Sequence, residues 1–190
     1  MDMWSHPKIQ DMAATTTTGG GGMMEDQRPA TREHIKTVQK VMFLLIKELE
    51  VRAIRHDASK LESPEREIFD EYTPKLRDTT YGSDEYKGYL KEMKVALDHH
   101  YATNRHHPEY FTPLVAHMNI INETFAMNLI DIIEMLCDWK AATLRHADGD
   151  IRKSIEINQK RFGYSDELKA ILLNTIELIE QPLPAPPEEG

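Results

Sequence analysis

The chain has 190 residues, of which 23 are Lys or Arg and 32 are Asp or Glu, and its formal net charge is −9. With 40% hydrophobic residues, it is long enough to form one folded domain with a buried core. The single cysteine, Cys137, excludes a disulfide framework and a cysteine-based zinc site, so we expect a cytoplasmic protein. The excess of acidic over basic residues argues against bulk nucleic-acid binding, because binding to the phosphate backbone needs clusters of Lys and Arg. We also expect no membrane partner, because no apolar stretch approaches the roughly 20 residues of a spanning helix.

The two ends of the chain differ in composition from the rest. A run of threonines and then glycines over residues 15–22 has no apolar period, which predicts a flexible segment over about 1–30. His6 lies in a motif that resembles part of an affinity tag, so it is left out of every candidate site. Closely spaced prolines cannot continue a helix and predict a disordered tail over 181–190. The folded domain is therefore predicted at about 31–180.

Within the folded domain, apolar residues recur at intervals of three and four, which is the period of an amphipathic helix. Together with capping residues, this pattern predicts helices at about 31–51, 64–72, 83–99, from 112, 124–145, 151–162 and 165–180. The helix over 124–145 is the most apolar, so we expect it at the centre. No alternating strand pattern is present, and the sequence predicts an all-α fold of about six or seven helices.

The first candidate for chemistry is the pair His56 and Asp57, which follows the first predicted helix. Chance alone produces such a pair often in a histidine-rich chain, so its surroundings matter more than the pair itself. Lys60 lies three residues beyond the aspartate. Further along, Asp131 interrupts an apolar run, where burying an unpaired charge would be costly.

His34, His56, Asp57 and Asp131, in this order, resemble the pattern of the HD-domain superfamily of metal-dependent phosphohydrolases. That pattern is a histidine, a His-Asp pair and a distant aspartate on a later helix. The resemblance covers about residues 31–145, and it implies an HD-like helical bundle in which these four residues bind a divalent ion. The chain also resembles, more narrowly, a family of uncharacterised phage and bacterial proteins, which implies no reaction. Four segments carry that likeness: Arg55–Lys60, Tyr81-Gly82-Ser83, His99–Pro108 and Asn128–Asp138.

The residue types support a metal site independently of the resemblance. Imidazoles and carboxylates together suit one or two divalent ions such as Mn, Fe, Co, Ni, Zn or Mg, and three or four such ligands leave positions open for water and substrate. Each residue also has an ordinary structural alternative. His34 lies beside an apolar stripe and would suit a core position. Asp131, Glu134 and Asp138 share one helix face, which would suit a solvent-facing stripe.

A second group contains four histidines within nine positions: His99, His100, His106 and His107. Neighbouring residues on a helix point about 100° apart, so at most one of His99 and His100 should face a given site. Several HD subfamilies hold a second ion with additional histidines between the His-Asp pair and the last aspartate. On that resemblance we choose His100 and His107 as ligands. The alternatives are contacts to substrate phosphate and a pH-sensitive surface patch.

Substrate contacts are predicted at cationic residues near these candidates and at one carboxylate. Arg55 and Lys60 flank the His-Asp pair, and Arg105 lies within the second histidine group. As cations, all three could bind a phosphate, although surface ion pairs would explain Arg55 and Lys60 equally well. Asp138 is expected to contact the substrate or another ligand rather than the ion itself.

The resemblance implies a hydrolase that cleaves a phosphomonoester or phosphoanhydride, with a nucleotide or deoxynucleotide as the small phosphorylated substrate. Asp57, Asp131 and Lys60 would be catalytic, with one of the two aspartates taking the proton from the attacking water. Two alternatives remain open. One is an HD-like di-iron oxygenase, and the other is a non-enzymatic helical binding module. The protein could also form a homo-oligomer.

Overall fold

Helices make up nearly all of the chain that the computed structural model describes, residues 28–80, 83–118, 122–145 and 149–181. Within these ranges there is no strand, which confirms the predicted all-α fold. The eight α-helices are α1 (Arg28–Arg55), α2 (Glu65–Arg77), α3 (Asp84–Glu92), α4 (Lys94–Thr103), α5 (Thr112–Met118), α6 (Leu129–Thr143), α7 (Ile151–Phe162) and α8 (Asp166–Glu180). Single turns of 3-10 helix occur at Ala58–Leu61, Pro108–Phe111 and Glu123–Ala126. None of the described helices has the length and apolar character needed to cross a membrane.

The helix boundaries differ from the predicted ones at several points, and α1 runs on to Arg55, past its predicted end at residue 51. The helix predicted over 83–99 is two helices, because the backbone tightens at Met93, whose ψ is −1° and whose side chain is buried. Helix α2 continues past Pro74, which lies near its end and removes one backbone hydrogen bond. Helix α6 begins only at Leu129, because Asn128 caps it. The predicted flexible segment and tail lie outside the described residues, except that 28–30 belong to α1 and 181 follows α8.

The chain divides into two compact units, residues 1–40 and 41–190. Among the described residues, the first unit contains the N-terminal part of α1, where every residue is exposed. The second unit contains the remaining helices, and all the site geometry below belongs to it.

Helix α6 lies at the centre of the second unit, as the sequence predicts. It contributes to two groups of buried apolar side chains. One joins it to α7 and α8 and consists of Leu136, Ile151, Ile155, Tyr164, Leu172 and Ile176. The other joins it to α5 and the preceding turn and consists of Phe111, Val115, Met127 and Met135. Because both faces of α6 are held by packing, its polar residues keep fixed positions.

The ends of α7 and α8 follow the capping residues in the sequence. The Asp150 side chain accepts hydrogen bonds from the first backbone N–H groups of α7, and Ser165 does the same for α8. Gly163 ends α7 with a φ of 66°, a left-handed conformation that glycine adopts without steric cost. These caps confirm the predicted limits of the last two helices.

Candidate metal centre

The turn after α1 brings His56 and Asp57 to the candidate site. Asp57 has a φ of 56°, in the left-handed region that aspartate tolerates better than most residues. This conformation ends α1 and leads the chain into the turn Ala58–Leu61. Lys60 Nζ donates a hydrogen bond of 2.6 Å to Asp57 Oδ2. The other oxygen, Oδ1, therefore remains free to face the histidines.

The last turn of α4 and the segment after it supply three histidines. His100 is buried on α4, and its Nε2 lies 3.3 Å from Asp57 Oδ1. His106 and His107 follow in the irregular stretch before Pro108. The Nε2 atom of His106 lies 3.4 Å from the same aspartate oxygen, and that of His107 lies 2.9 Å from His100 Nε2. Four potential ligand atoms thus converge around one point.

Helix α6 supplies two carboxylates one turn apart, Glu134 and Asp138. Glu134 Oε1 accepts a hydrogen bond of 3.0 Å from His56 Nδ1 and lies 3.2 Å from His106 Nδ1. Asp138 Oδ1 lies 3.7 Å from His56 Nε2. The combined group is called the seven-residue cluster below: His56, Asp57, His100, His106, His107, Glu134 and Asp138.

The distances within the cluster fit a bound cation. Bonds of about 2.0–2.2 Å to nitrogen or oxygen place neighbouring ligands of one ion roughly 3.0–3.5 Å apart, depending on the coordination geometry. The donors around Asp57 lie 2.9–3.4 Å from their neighbours. Asp57 Oδ1 and His106 Nε2 are buried without a hydrogen-bond partner. An unsatisfied buried polar atom costs about 1–3 kcal/mol, and an ion would satisfy both.

The cluster consists of overlapping groups of ligands rather than one. The largest is Asp57 with His100, His106 and His107. His56 forms a second group with His106 and Glu134, and a third with Asp57 and Asp138. Because His106 and Asp57 are each shared with the largest group, the arrangement suits either one ion or two neighbouring ions.

Two histidines of the cluster are held in the neutral form that binds metals. Burial lowers the pKa of His107 to about 3, and the nearby imidazoles of His106 and His100 add to this effect. Burial also lowers the pKa of His100, with a further contribution from the charge of Lys60. Both rings therefore offer a lone pair at neutral pH.

The carboxylates of the cluster are ionised, and His56 carries the balancing proton. Burial alone would raise the pKa of Asp57, but the nearby imidazole of His106, with its Nε2 at 3.4 Å, and the hydrogen bond and charge of Lys60 hold it well below its usual range. Burial opposes ionisation of Glu134 in the same way, and hydrogen bonds from His106 and His56 likewise lower its pKa. Hydrogen bonds to Asp138 and Glu134 raise the pKa of His56 to about 10. Without an ion, protonated histidine therefore supplies the positive charge.

Metal affinity should accordingly increase with pH. A bound ion must displace the proton of His56, because Asp138 and Glu134 raise the pKa of this histidine. It must also displace the proton of His106, whose pKa is raised by Asp57 and Glu134 although burial lowers it. Each proton released strengthens apparent binding about tenfold per pH unit below these pKa values. We expect the Mn²⁺ affinity to rise between pH 6 and pH 8, with one or two protons released per ion. Calorimetry in buffers of different ionisation enthalpy measures the Mn²⁺ affinity and the number of protons released. An affinity that does not depend on pH would contradict the role of His56 as a ligand.

Glu65, at the start of α2, orients His100 from outside the cluster. It is fully buried and accepts hydrogen bonds from Ser59 Oγ at 3.0 Å, His99 Nδ1 at 2.7 Å and His100 Nδ1 at 2.8 Å. As an acceptor, the Glu65 carboxylate favours the tautomer of His100 with its proton on Nδ1, which leaves a lone pair on Nε2, 3.3 Å from Asp57 Oδ1. Carboxylates commonly fix metal-binding histidines in this way. His99, by contrast, contacts Glu65 and is not part of the cluster.

Replacing Glu65 with glutamine should weaken metal binding about 10- to 100-fold, which is the usual effect of losing such a carboxylate partner. The amide accepts fewer hydrogen bonds and no longer selects the tautomer of His100. Competition with a chromophoric chelator measures the affinity. The matched control is Glu67→Gln, because Glu67 is exposed on the same helix and pairs with Arg66 at the surface. Equal affinities for the two variants would contradict the role of Glu65.

Asp131, predicted as a ligand and catalytic residue, belongs to none of the ligand groups among the described residues. It is fully buried, and four donors surround its oxygens. Oδ1 accepts from Arg52 Nη1 at 3.0 Å and Arg105 Nε at 3.1 Å, and Oδ2 accepts from Arg105 Nη2 at 2.9 Å and the Asn128 backbone N–H at 3.0 Å. The Asn128 side chain in turn accepts from the Asp131 backbone N–H. With its lone pairs used in this way, Asp131 is not part of the cluster.

His34, also predicted as a ligand, is exposed on α1 and belongs to none of the ligand groups among the described residues. Helix α1 is continuous to Arg55. His34 lies in the first turns of this helix, whereas His56 follows its last residue.

The other predicted residues fall in or beside the cluster. His56, Asp57, His100 and His107 are brought together as predicted. Asp138 joins the ligand groups directly, although the sequence favoured a contact to substrate. Two members of the cluster, His106 and Glu134, were not among the predicted ligands. In the irregular stretch after α4, His106 and His107 can both face the site, and Glu134 shares the helix face of Asp138, a spacing compatible with either solvent or an ion.

A cleft of about 280 Å³ adjoins the cluster and contains three arginines. Its lining residues are Glu48, Arg52, Arg55, Thr103, Asn104, Arg105, His106 and Glu134. Arg52 and Arg105 are paired with Asp131. Arg55 is exposed and has no carboxylate partner among the described residues, so its guanidinium is available to an anion. Lys60, bound to Asp57, instead helps to hold that carboxylate in place.

Residues 23–178 match the model of a family described as "Family of unknown function (DUF5662)". This match covers most of the chain. No curated protein and no solved structure matches it. The function must therefore be inferred from the site.

Proposed function

The chain belongs to the DUF5662 family, and from its site we propose that it is a metal-dependent phosphohydrolase acting on a small phosphorylated substrate. The observation that carries this proposal is the convergence of Asp57 with His100, His106 and His107, in which two buried atoms have no hydrogen-bond partner. The resemblance to HD-domain phosphohydrolases favours a nucleotide or deoxynucleotide as substrate.

Each part of the cluster has a role in this reaction. One or two divalent ions, when bound, would lower the pKa of a water and neutralise charge developing on the phosphoryl group. Asp57 and the three neighbouring histidines would hold the first ion, and His56 with Glu134 would complete a second site. Burial would raise the pKa of Asp138, but its interaction with His56, whose Nε2 lies 3.7 Å from Oδ1, lowers it. In the proposed reaction, this oxygen would accept the proton of the attacking water.

The arginine-containing cleft supports an anionic substrate. It reaches the cluster through His106 and Glu134, so a phosphate held by Arg55 would lie beside the ligands. Arginine suits this role because its planar group can bind two phosphate oxygens at once. The cleft volume of about 280 Å³ is near the lower end for ligand pockets, which favours a small molecule over a polymer.

A di-iron oxygenase is the second candidate, because the cluster offers seven nitrogen and oxygen donors in overlapping groups. Such a set of ligands suits two iron ions as well as the two divalent ions of a hydrolase. Aerobic protein loaded with iron would then show a visible or near-ultraviolet absorption band that bleaches on reduction. A colourless, iron-independent protein that releases phosphate would exclude this candidate.

Phosphate release from a panel of nucleoside and deoxynucleoside mono-, di- and triphosphates tests the proposal. Protein loaded with Mn²⁺ should hydrolyse at least one of them. Arg55→Ala should raise KM about 10- to 100-fold without changing metal content, because it removes one hydrogen-bonded charge pair with the phosphate. Arg66→Ala serves as the control, since Arg66 is exposed and pairs with Glu67. No phosphate release from any substrate would overturn the proposal and favour a binding module.

A further inference from the structure

Helix α1 carries an apolar stripe that is separate from the candidate metal centre. Its members follow the alternating spacing of three and four that defines a seven-residue repeat: Ile35, Val38, Met42, Leu45 and Leu49. We call this stripe the α1 seam. No residue of α1 is buried, and the first four members are between 41% and 56% exposed. Among the described helices, none covers the seam.

The seam ends where α1 becomes attached to the rest of its unit. The next position of the repeat is Arg52, which forms ion pairs with Asp131 and Glu134. Beyond Leu49, this side of the helix therefore serves the region of the metal centre. From Ile35 to Leu49, the same side presents only apolar residues at the repeat positions.

We propose that the α1 seam pairs with the α1 seam of a second copy of this chain, forming a homodimer. Val41 and Ile46 flank the seam, and each is 54% exposed. With them, the apolar patch amounts to roughly 500 Å² per copy, at the upper end of what monomeric proteins expose. Pairing two copies would bury about 1,000 Å², which is the lower limit for a specific interface.

The charges of α1 favour a helical partner of the same kind. Lys36, Lys40 and Lys47 lie on the side of the helix away from the seam, where they would remain in solvent in the dimer. The flanking positions of the repeat contain Gln39 and Glu48 besides the two apolar residues, so no row of like charges faces the partner. Phe43 and Leu44, 65% and 69% exposed, also lie on the side of the lysines, outside the proposed interface.

Light scattering coupled to size-exclusion chromatography tests the dimer over a range of concentrations. The unaltered protein should have twice the chain mass of 22.0 kDa. Leu45→Glu and, independently, Val38→Glu should each produce a monomer with unchanged helical circular dichroism, because both positions are exposed. Leu44→Glu is the matched control. Leu44 is 69% exposed on the opposite side of the same helix, so this variant should remain a dimer.

Three outcomes would overturn the proposal. The first is an unaltered protein that is monomeric at every concentration. The second is a dimer that survives both seam substitutions or that dissociates equally with Leu44→Glu. The third is a monomer that floats with phosphatidylserine vesicles through the seam, which would assign this face to lipid. None of these measurements depends on the proposed hydrolase activity.

Discussion

Asp57→Asn should abolish phosphate release and weaken metal binding at least 100-fold while leaving the helical fold intact. Asp57 Oδ1 lies 3.3–3.4 Å from two histidine nitrogens and has no hydrogen-bond partner, so its negative charge serves a cation. Asparagine has the same shape and also tolerates the left-handed backbone at this position. The substitution therefore removes a charge and leaves the backbone conformation intact. Loss of a residue that binds the ion directly should reduce the metal affinity more than the 10- to 100-fold seen when a residue that only orients a ligand is lost.

Calorimetric titration with Mn²⁺ and circular dichroism of the same sample measure the two parts of this expectation. Asp98→Asn is the matched control, because Asp98 is exposed on α4 and pairs with Lys94 of the same helix. It should bind metal and release phosphate as the unaltered protein does. Full metal affinity in the Asp57 variant would rule out this aspartate as a ligand.

Asp131→Ala should destabilise the fold, by about 3 kcal/mol. Removing this fully buried carboxylate leaves Arg52 and Arg105 without their shared partner and opens the cap of α6. Breaking a buried ion pair costs about 3–5 kcal/mol, and the lower end applies because Arg105 reaches solvent. In a chain of this length the midpoint of thermal unfolding should fall by about 6–12 °C.

Thermal unfolding and metal titration together distinguish this role from ligation. Asp131→Asn should fall between the alanine variant and the unaltered protein in stability, because its amide oxygen can still accept a hydrogen bond from one arginine. If Asp131→Ala kept its stability and lost metal binding, Asp131 would instead be the ligand that the sequence pattern predicts.

The fold could be predicted well because helical period and capping act locally. The apolar spacing along α6 indicates both its helical conformation and its central position, and Ser165 and Gly163 mark helix ends through their own backbone preferences. The break at Met93 could not be predicted, because neither a proline nor a glycine stands there. It depends on the tertiary packing that buries this side chain.

The site could be predicted only in part, because its partners are distant in sequence. Asp57 and His100 were identified, whereas the roles of their neighbours depended on which way each side chain points. Asp131 illustrates the difficulty most clearly. Asn128, three residues before Asp131, is a recognisable cap signal. Arg52, however, the ion-pair partner of Asp131, lies 79 residues away in the sequence. Glu65 gave no signal at all, since only burial between Ser59 and His100 distinguishes it from other acidic residues at helix starts.

Whether the seven-residue cluster binds metal can be decided by measuring the metal content of the protein. Protein purified without chelator, and again after reloading with Mn, Fe, Co or Zn, should contain one or two equivalents of metal by mass spectrometry. The Asp57→Asn variant, treated identically, should contain substantially less. No bound metal in the unaltered protein after every reloading would contradict the account and leave a histidine-rich helical protein without a hydrolytic centre.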